Sequence, residues 1–178
     1  MKQFFYVVFL LLIVFSNLHA QQALSIVPEP VTLKTGGGFF ELDSKTQLLV
    51  DGNNPELKRL AGIFASWIAP ATGFQLKVVS HPARSAKTIR LLLVQSLQDV
   101  KSEEGYTLVV TANAITLSAS KPSGLFYGLQ TLRQLLPSSA EQATKQNTRW
   151  TIPAVSITDY PRFPWRGLLL DVSRHFFS

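Results

Sequence analysis

The 178 residues are 46% hydrophobic and 16% charged, enough apolar material for a packed core and too little charge for a disordered chain. The formal net charge of +6 is carried by scattered residues (Lys34, Lys45, Lys58, Arg59, Lys77, Arg84, Lys87, Arg90), with no basic run interleaved with aromatics, which argues against a nucleic-acid partner. Cysteine is absent, which excludes a disulfide framework, a thiolate zinc site and a lipid-modified N-terminal cysteine.

The chain opens with Lys2, an apolar run from Phe4 to Phe15, and a polar, small-ended exit, Ser16 to Ala20, before Gln21-Gln22. The run is too short to span a bilayer comfortably as a helix. This is the pattern of a secretory signal peptide, residues 1–20, cut after Ala20; the alternative reading is an uncleaved membrane anchor. It predicts an exported protein, periplasmic or secreted, with no stable membrane anchor after cleavage.

Leu24 to Val27 reads as a short strand stopped by Pro28 and Pro30, and Gly36-Gly37-Gly38 as a turn. Phe39 to Leu42 and Gln47 to Val50 are the next predicted strands. A helix follows: Asn54 is its cap, Pro55 suits the first turn, and Glu56 complements the dipole. Leu57, Leu60, Ala61, Phe64, Trp67 and Ile68 share one face, and Pro70 and Gly73 end it. Trp67 invites a sugar-stacking role, but its place on the apolar stripe favours packing.

Strands are predicted near Phe74 to Val79 and Thr88 to Val94. Tyr106 to Thr111 and Ile115 to Ser120 alternate with period two, a hairpin with one buried and one Thr/Ser-rich wet face. Asn113 suits a left-handed turn position. A second helix runs from about Pro122 to Leu136, with Leu125, Leu129, Leu132 and Leu136 as its buried stripe. Gly124 and Gly128 share a face and cost about 1 kcal/mol each in helix propensity, so their use is close approach to the sheet. Ser138 to Thr148 is loop-like, and Trp150 to Ile157 a final strand. Residues 21–159 therefore form an α+β domain, a small mixed or antiparallel sheet with helices on one face.

From residue 160 the character changes. Gly167 to Val172 is mostly a continuous apolar run, suited to a strand buried on both faces, with polar and ring-bearing residues at its C-terminal end. In a β/α barrel, sites are built at that end.

Arg166-Gly167, Leu168 to Leu170, Asp171, Val172-Ser173 and Arg174-His175 resemble the opening of the catalytic barrel in family 20 glycoside hydrolases, the β-N-acetylhexosaminidases. Glu104-Gly105-Tyr106, the segment Gly124 to Leu135, and Ile26-Val27-Pro28-Glu29-Pro30 resemble the small domain that precedes that barrel. The resemblance covers essentially everything after the leader. It implies that residues 160–178 begin a truncated (β/α)8 barrel.

It also implies a reaction: release of terminal N-acetylglucosamine or N-acetylgalactosamine from glycans, with retention, the substrate's own acetamido oxygen acting as nucleophile. An adjacent Asp-Glu pair serves that step in the family, and no metal or other cofactor is required. The sequence holds no Asp-Glu dipeptide. Glu103-Glu104 is its only adjacent acidic pair and is given no catalytic role. The chain therefore reads as a piece of such an enzyme, inactive alone. From the residues alone Arg166 reads equally as a buried structural arginine; the resemblance makes it the substrate-binding candidate, since the family's arginine here grips hydroxyls at carbons 3 and 4 and a guanidinium fork suits neighbouring hydroxyls. Asp171, Arg174 and His175 are either pocket floor or an internal ion-paired group. His81 is given no role. Two other readings remain open: a non-catalytic carbohydrate-binding or adaptor module on the same small domain, and a different exported barrel hydrolase.

Overall fold

The computed structural model describes residues 24–52, 54–84 and 86–169. The predicted leader and the residues Asp171, Arg174 and His175 lie outside the described residues. Seven strands form one sheet: β1 (Thr32–Glu41), β2 (Gln47–Val50), β3 (Lys77–Val79), β4 (Thr88–Leu93), β5 (Tyr106–Val110), β6 (Ala114–Ala119) and β7 (Thr151–Asp159). Their order is β1-β7-β5-β6-β4-β2-β3. Strands β3, β2, β4 and β6 run parallel, and β6, β5, β7 and β1 pair antiparallel, so the α+β reading holds with a mixed sheet.

Helix α1 (Pro55–Thr72) starts where the sequence places it. The Asn54 side chain accepts from the backbone N–H of Glu56 and Leu57 at 3.0 and 3.3 Å, which satisfies two of the helix's orphan donors. Pro70 is accommodated inside the last turn, and Gly73 ends the helix in the left-handed conformation at φ 71°. Helix α2 (Pro122–Gln134) buries Leu125, Leu129 and Leu132 completely. Both helices pack on one face of the sheet and touch each other. Between them and the sheet lie Phe64 and Ile68 of α1 and Ile89, Leu91, Leu108, Ile115 and Leu117 of the strands, each 0–1% exposed. The opposite face carries Thr107, Val109, Thr116 and Ser118, none of them buried.

The two helical glycines work as expected. A β-carbon on Gly128 would stand 2.2 Å from Leu117 Cδ1, and one on Gly124 2.3 Å from the Gly105 carbonyl oxygen. Trp67 is half-buried against the core, edge-on to Phe126 at 6.0 Å, with the Arg133 guanidinium 5.3 Å from its ring centre, so packing is its observed role.

Four local expectations need correcting. Leu24 to Val27 is not a strand. The Val27 N–H and C=O are bound instead by the Gln134 side chain at 2.9 and 3.0 Å, which replaces a strand partner with one amide. Gly36 to Gly38 does not turn the chain. These residues lie inside β1 as a bulge: Thr35 pairs with Val155 and Phe39 with Pro153, leaving the three glycines opposite Ala154. Asn113 does not take a left-handed turn, since Asp99 is the non-glycine residue with positive φ among those described. Thr111 closes that hairpin, donating its N–H and its hydroxyl to the Ala114 carbonyl at 2.9 and 2.8 Å. Finally, Gly167 to Leu169, the described part of the predicted barrel strand, is extended chain in no sheet, with Leu168 and Leu169 each 93% exposed. A two-face-buried strand needs neighbours on both sides, and the described residues offer it none.

Candidate functional site

Arg166 lines a groove of about 590 Å³, bounded by Tyr127 and Gln130 of α2, by Glu104 before β5, and by Asp159 at the end of β7 with residues 160–163 after it. Strand register assembles it. Tyr106, the first residue of β5, pairs with Asp159, the last of β7. The segment before β5 and the segment after β7 therefore leave the sheet side by side, although far apart in sequence.

Gly105 sets how closely they run. It is buried, and a β-carbon there would meet Val100 Cγ1 at 2.2 Å and Tyr160 Cβ at 2.9 Å. The preceding turn is tied by Ser102, whose carbonyl accepts from Gly105 N–H at 3.0 Å and whose hydroxyl accepts from Glu104 N–H at 3.2 Å. Glu104 thus faces the chain that follows β7. Its Oε2 accepts from Arg166 Nη2 at 2.5 Å, while Arg166 Nη1 donates to the Phe163 carbonyl at 3.2 Å. The hydrogen bond it donates to Glu104 raises the arginine's pKa still further, so its charge is permanent at any ordinary pH. Tyr127 contributes to the same shift.

The floor of the groove is a second polar group. The Tyr106 hydroxyl shares a 2.5 Å hydrogen bond with Thr131 Oγ1 and donates to Asp159 Oδ2 at 3.2 Å. The other Asp159 oxygen accepts from Val31 N–H at 3.2 Å. Burial is the largest cause of a strongly raised Tyr106 pKa, so this phenol stays neutral.

Two of the groove's acids are committed: Glu104 to an arginine and Asp159 to a tyrosine and a backbone N–H. Glu29 sits exposed at the rim. Among the described residues, no three His, Asp or Glu side chains come together at metal-binding distance. The arrangement suits recognition of hydroxyls by a fixed guanidinium. General acid catalysis needs an uncommitted carboxyl close to a leaving oxygen.

Of the candidates from sequence, Arg166 is exposed at this groove, and His81 is exposed in a loop away from it. Glu104 is the residue sequence reasoning passed over. Its neighbour Glu103 behaves as an ordinary surface acid, 3.7 Å from Lys121 Nζ, while Glu104 turns inward to Arg166. The one sequence signal that separated them was the position of Glu104 directly before Gly105-Tyr106.

Fold and groove together define an α+β domain, one seven-stranded mixed sheet with two helices on it, that carries an arginine-lined groove where β5 begins and β7 ends. The profile of "Glycosyl hydrolase family 20, domain 2" matches residues 23–160, and the chain belongs to that family. It is 33% identical over 157 residues to a beta-hexosaminidase of Porphyromonas gingivalis, spanning 88% of this chain and 20% of that protein. It is 33% identical over 155 residues to a beta-N-acetylhexosaminidase of Cellulomonas fimi, spanning 86% and 29%. Among solved structures, the family 20 β-N-acetylhexosaminidase of Streptomyces coelicolor superposes with a TM-score of 0.75 at 38% identity, covering 86% of this chain and 30% of that one. The Streptomyces plicatus enzyme in complex with Thio-NAglucal gives 0.74 at 38% identity. The chain thus spans about 20% to 30% of the length of these relatives.

Proposed function

We propose that this chain supplies the small domain and the sugar-gripping arginine of an exported β-N-acetylhexosaminidase. The enzyme removes terminal, non-reducing N-acetylglucosamine or N-acetylgalactosamine from glycans with retention of configuration. The acetamido oxygen of the substrate attacks the anomeric carbon, an aspartate steadies the acetamide, and a glutamate protonates the leaving oxygen. That Asp-Glu pair is absent from this sequence and belongs to the barrel. Within residues 1–178 the proposed substrate contact is Arg166.

The observation that carries this reading is the placement of Arg166: a guanidinium held from one side by Glu104 yet 46% exposed, at the junction between the small domain and the chain that follows it. A fork fixed on one edge presents its remaining donors in a set direction, as recognition of adjacent sugar hydroxyls requires. The test is kinetic. The full-length enzyme should cleave a chromogenic N-acetylglucosaminide, and Arg166→Ala should weaken both binding and turnover. Arg166→Lys should restore only part, because an ammonium lacks the fork. Unchanged kinetics in Arg166→Ala would overturn the assignment.

A further inference from the structure

The contact between Glu104 and Arg166 joins the small domain to the sugar-recognising residue, and nothing in the domain's own stability requires it. Both side chains are half-exposed, with 46% of the arginine and 36% of the glutamate side chain accessible. An exposed ion pair contributes little to folding. Yet the approach is close at 2.5 Å, and the backbone around Glu104 is tightly specified. Ser102 ties the turn, Gly105 is crowded between Val100 and Tyr160, and Tyr106 is locked in register with Asp159. Three independent constraints thus converge on the placement of one carboxylate.

We infer that Glu104 is a positioning residue for substrate binding: the small domain fixes the guanidinium of Arg166 so that its free edge meets the hydroxyls of the terminal sugar. The inference rests on the substrate role proposed for Arg166. Arginine has several rotatable bonds, and an unheld guanidinium at 46% exposure samples many directions. Glu104 accepts from one terminal nitrogen and the Phe163 carbonyl from the other, so the plane of the fork is set before substrate arrives. Tyr127, on the adjacent wall, adds to the arginine's stabilisation. The small domain is then part of the sugar site through a residue that touches no substrate.

The experiment uses the full-length enzyme and two substrates, one with the terminal sugar intact and one lacking a hydroxyl that Arg166 grips. Glu104→Ala should lower kcat/KM on the intact sugar by about tenfold to a hundredfold, the scale of a small misplacement of a binding group. Glu104→Gln, which preserves shape and one acceptor, should fall between Glu104→Ala and the parent. On the deoxy substrate, the loss from Glu104→Ala should shrink to within about twofold, since the group being positioned has no partner there. Glu104→Ala combined with Arg166→Ala should be no worse than Arg166→Ala alone. Equal losses on both substrates, or fully additive losses in the double variant, would show a merely structural role and overturn the inference while leaving Arg166 in place. A large effect of Arg166→Ala beside none for Glu104→Ala and Glu104→Gln would do the same. No effect of Arg166→Ala would remove the underlying assignment instead, and the positioning role with it.

Discussion

Gly124, in the first turn of α2, sits over Gly105 so closely that a β-carbon on it would lie 2.3 Å from the Gly105 carbonyl oxygen. The obstacle is backbone, which no rotamer change relieves. Gly124→Ala should therefore destabilise the domain by about 1–3 kcal/mol, even though alanine is the better helix former. Gly62 in α1 is the control, because a β-carbon there meets nothing within 4 Å. Gly62→Ala should stabilise by about 0.5–1 kcal/mol. Denaturant midpoints of the two variants should move in opposite directions, and a shared direction would count against the close approach.

Tyr106 gives the domain an alkaline limit. Burial raises its pKa above the ordinary phenol value, so the folded state holds the proton more tightly than the unfolded chain does. Stability from this group is fully present below about pH 10, the unfolded value, and is lost as pH rises beyond it. Tyr106→Phe should cost about 1–2 kcal/mol at neutral pH, through the partners left at Thr131 and Asp159. The gap between parent and variant should narrow above about pH 10. A gap that stays constant up to pH 11.5, in thermal melts, would remove Tyr106 as the cause.

Export is testable directly. Expressed with its own leader in a Gram-negative host, the chain should be recovered outside the cytoplasm with Gln21 as its first residue, read by intact-mass spectrometry. An intact Met1 product in the cytosol would sink the proposal.

Residues 1–178 alone should not turn over a chromogenic N-acetylglucosaminide. The sequence has no Asp-Glu pair, and the groove's Glu104 and Asp159 are already bound. General acid assistance is worth about a hundredfold or more, and enclosure of the sugar adds to it. Hydrolysis above the buffer rate, from material free of host enzyme, would contradict the reading of this groove as a recognition surface.

Sequence revealed the parts of this fold that are decided locally. Asn54, Pro55 and the apolar stripe define α1 within one turn of where it begins, and alternation defines β5 and β6. The outcome at Gly36 to Gly38 depended on a partner strand more than a hundred residues away, so a bulge read as a turn. Leu24 to Val27 has strand composition, but the Val27 backbone is bound by the distant Gln134 side chain instead of a partner strand. Arg166 stood out by motif, whereas Glu104 looked like one of two surface acids. The hydrogen bond from Arg166 to Glu104, made possible where Tyr106 pairs with Asp159, shows which of the two faces the arginine.

The sheet order has a consequence in time. Among the described strands, β1 pairs with β7 alone, and β7, the last strand, lies between β1 and β5. A ribosome adds about 5–20 residues per second, so β1 waits on the order of 5–20 s after its own synthesis for the strand that will hold it. The contact is of high sequence separation and closes late for entropic reasons as well. A nascent chain of this topology stays open at its N-terminal edge until residue 159 has been made. That open edge is what the proposed export through a secretion channel would require.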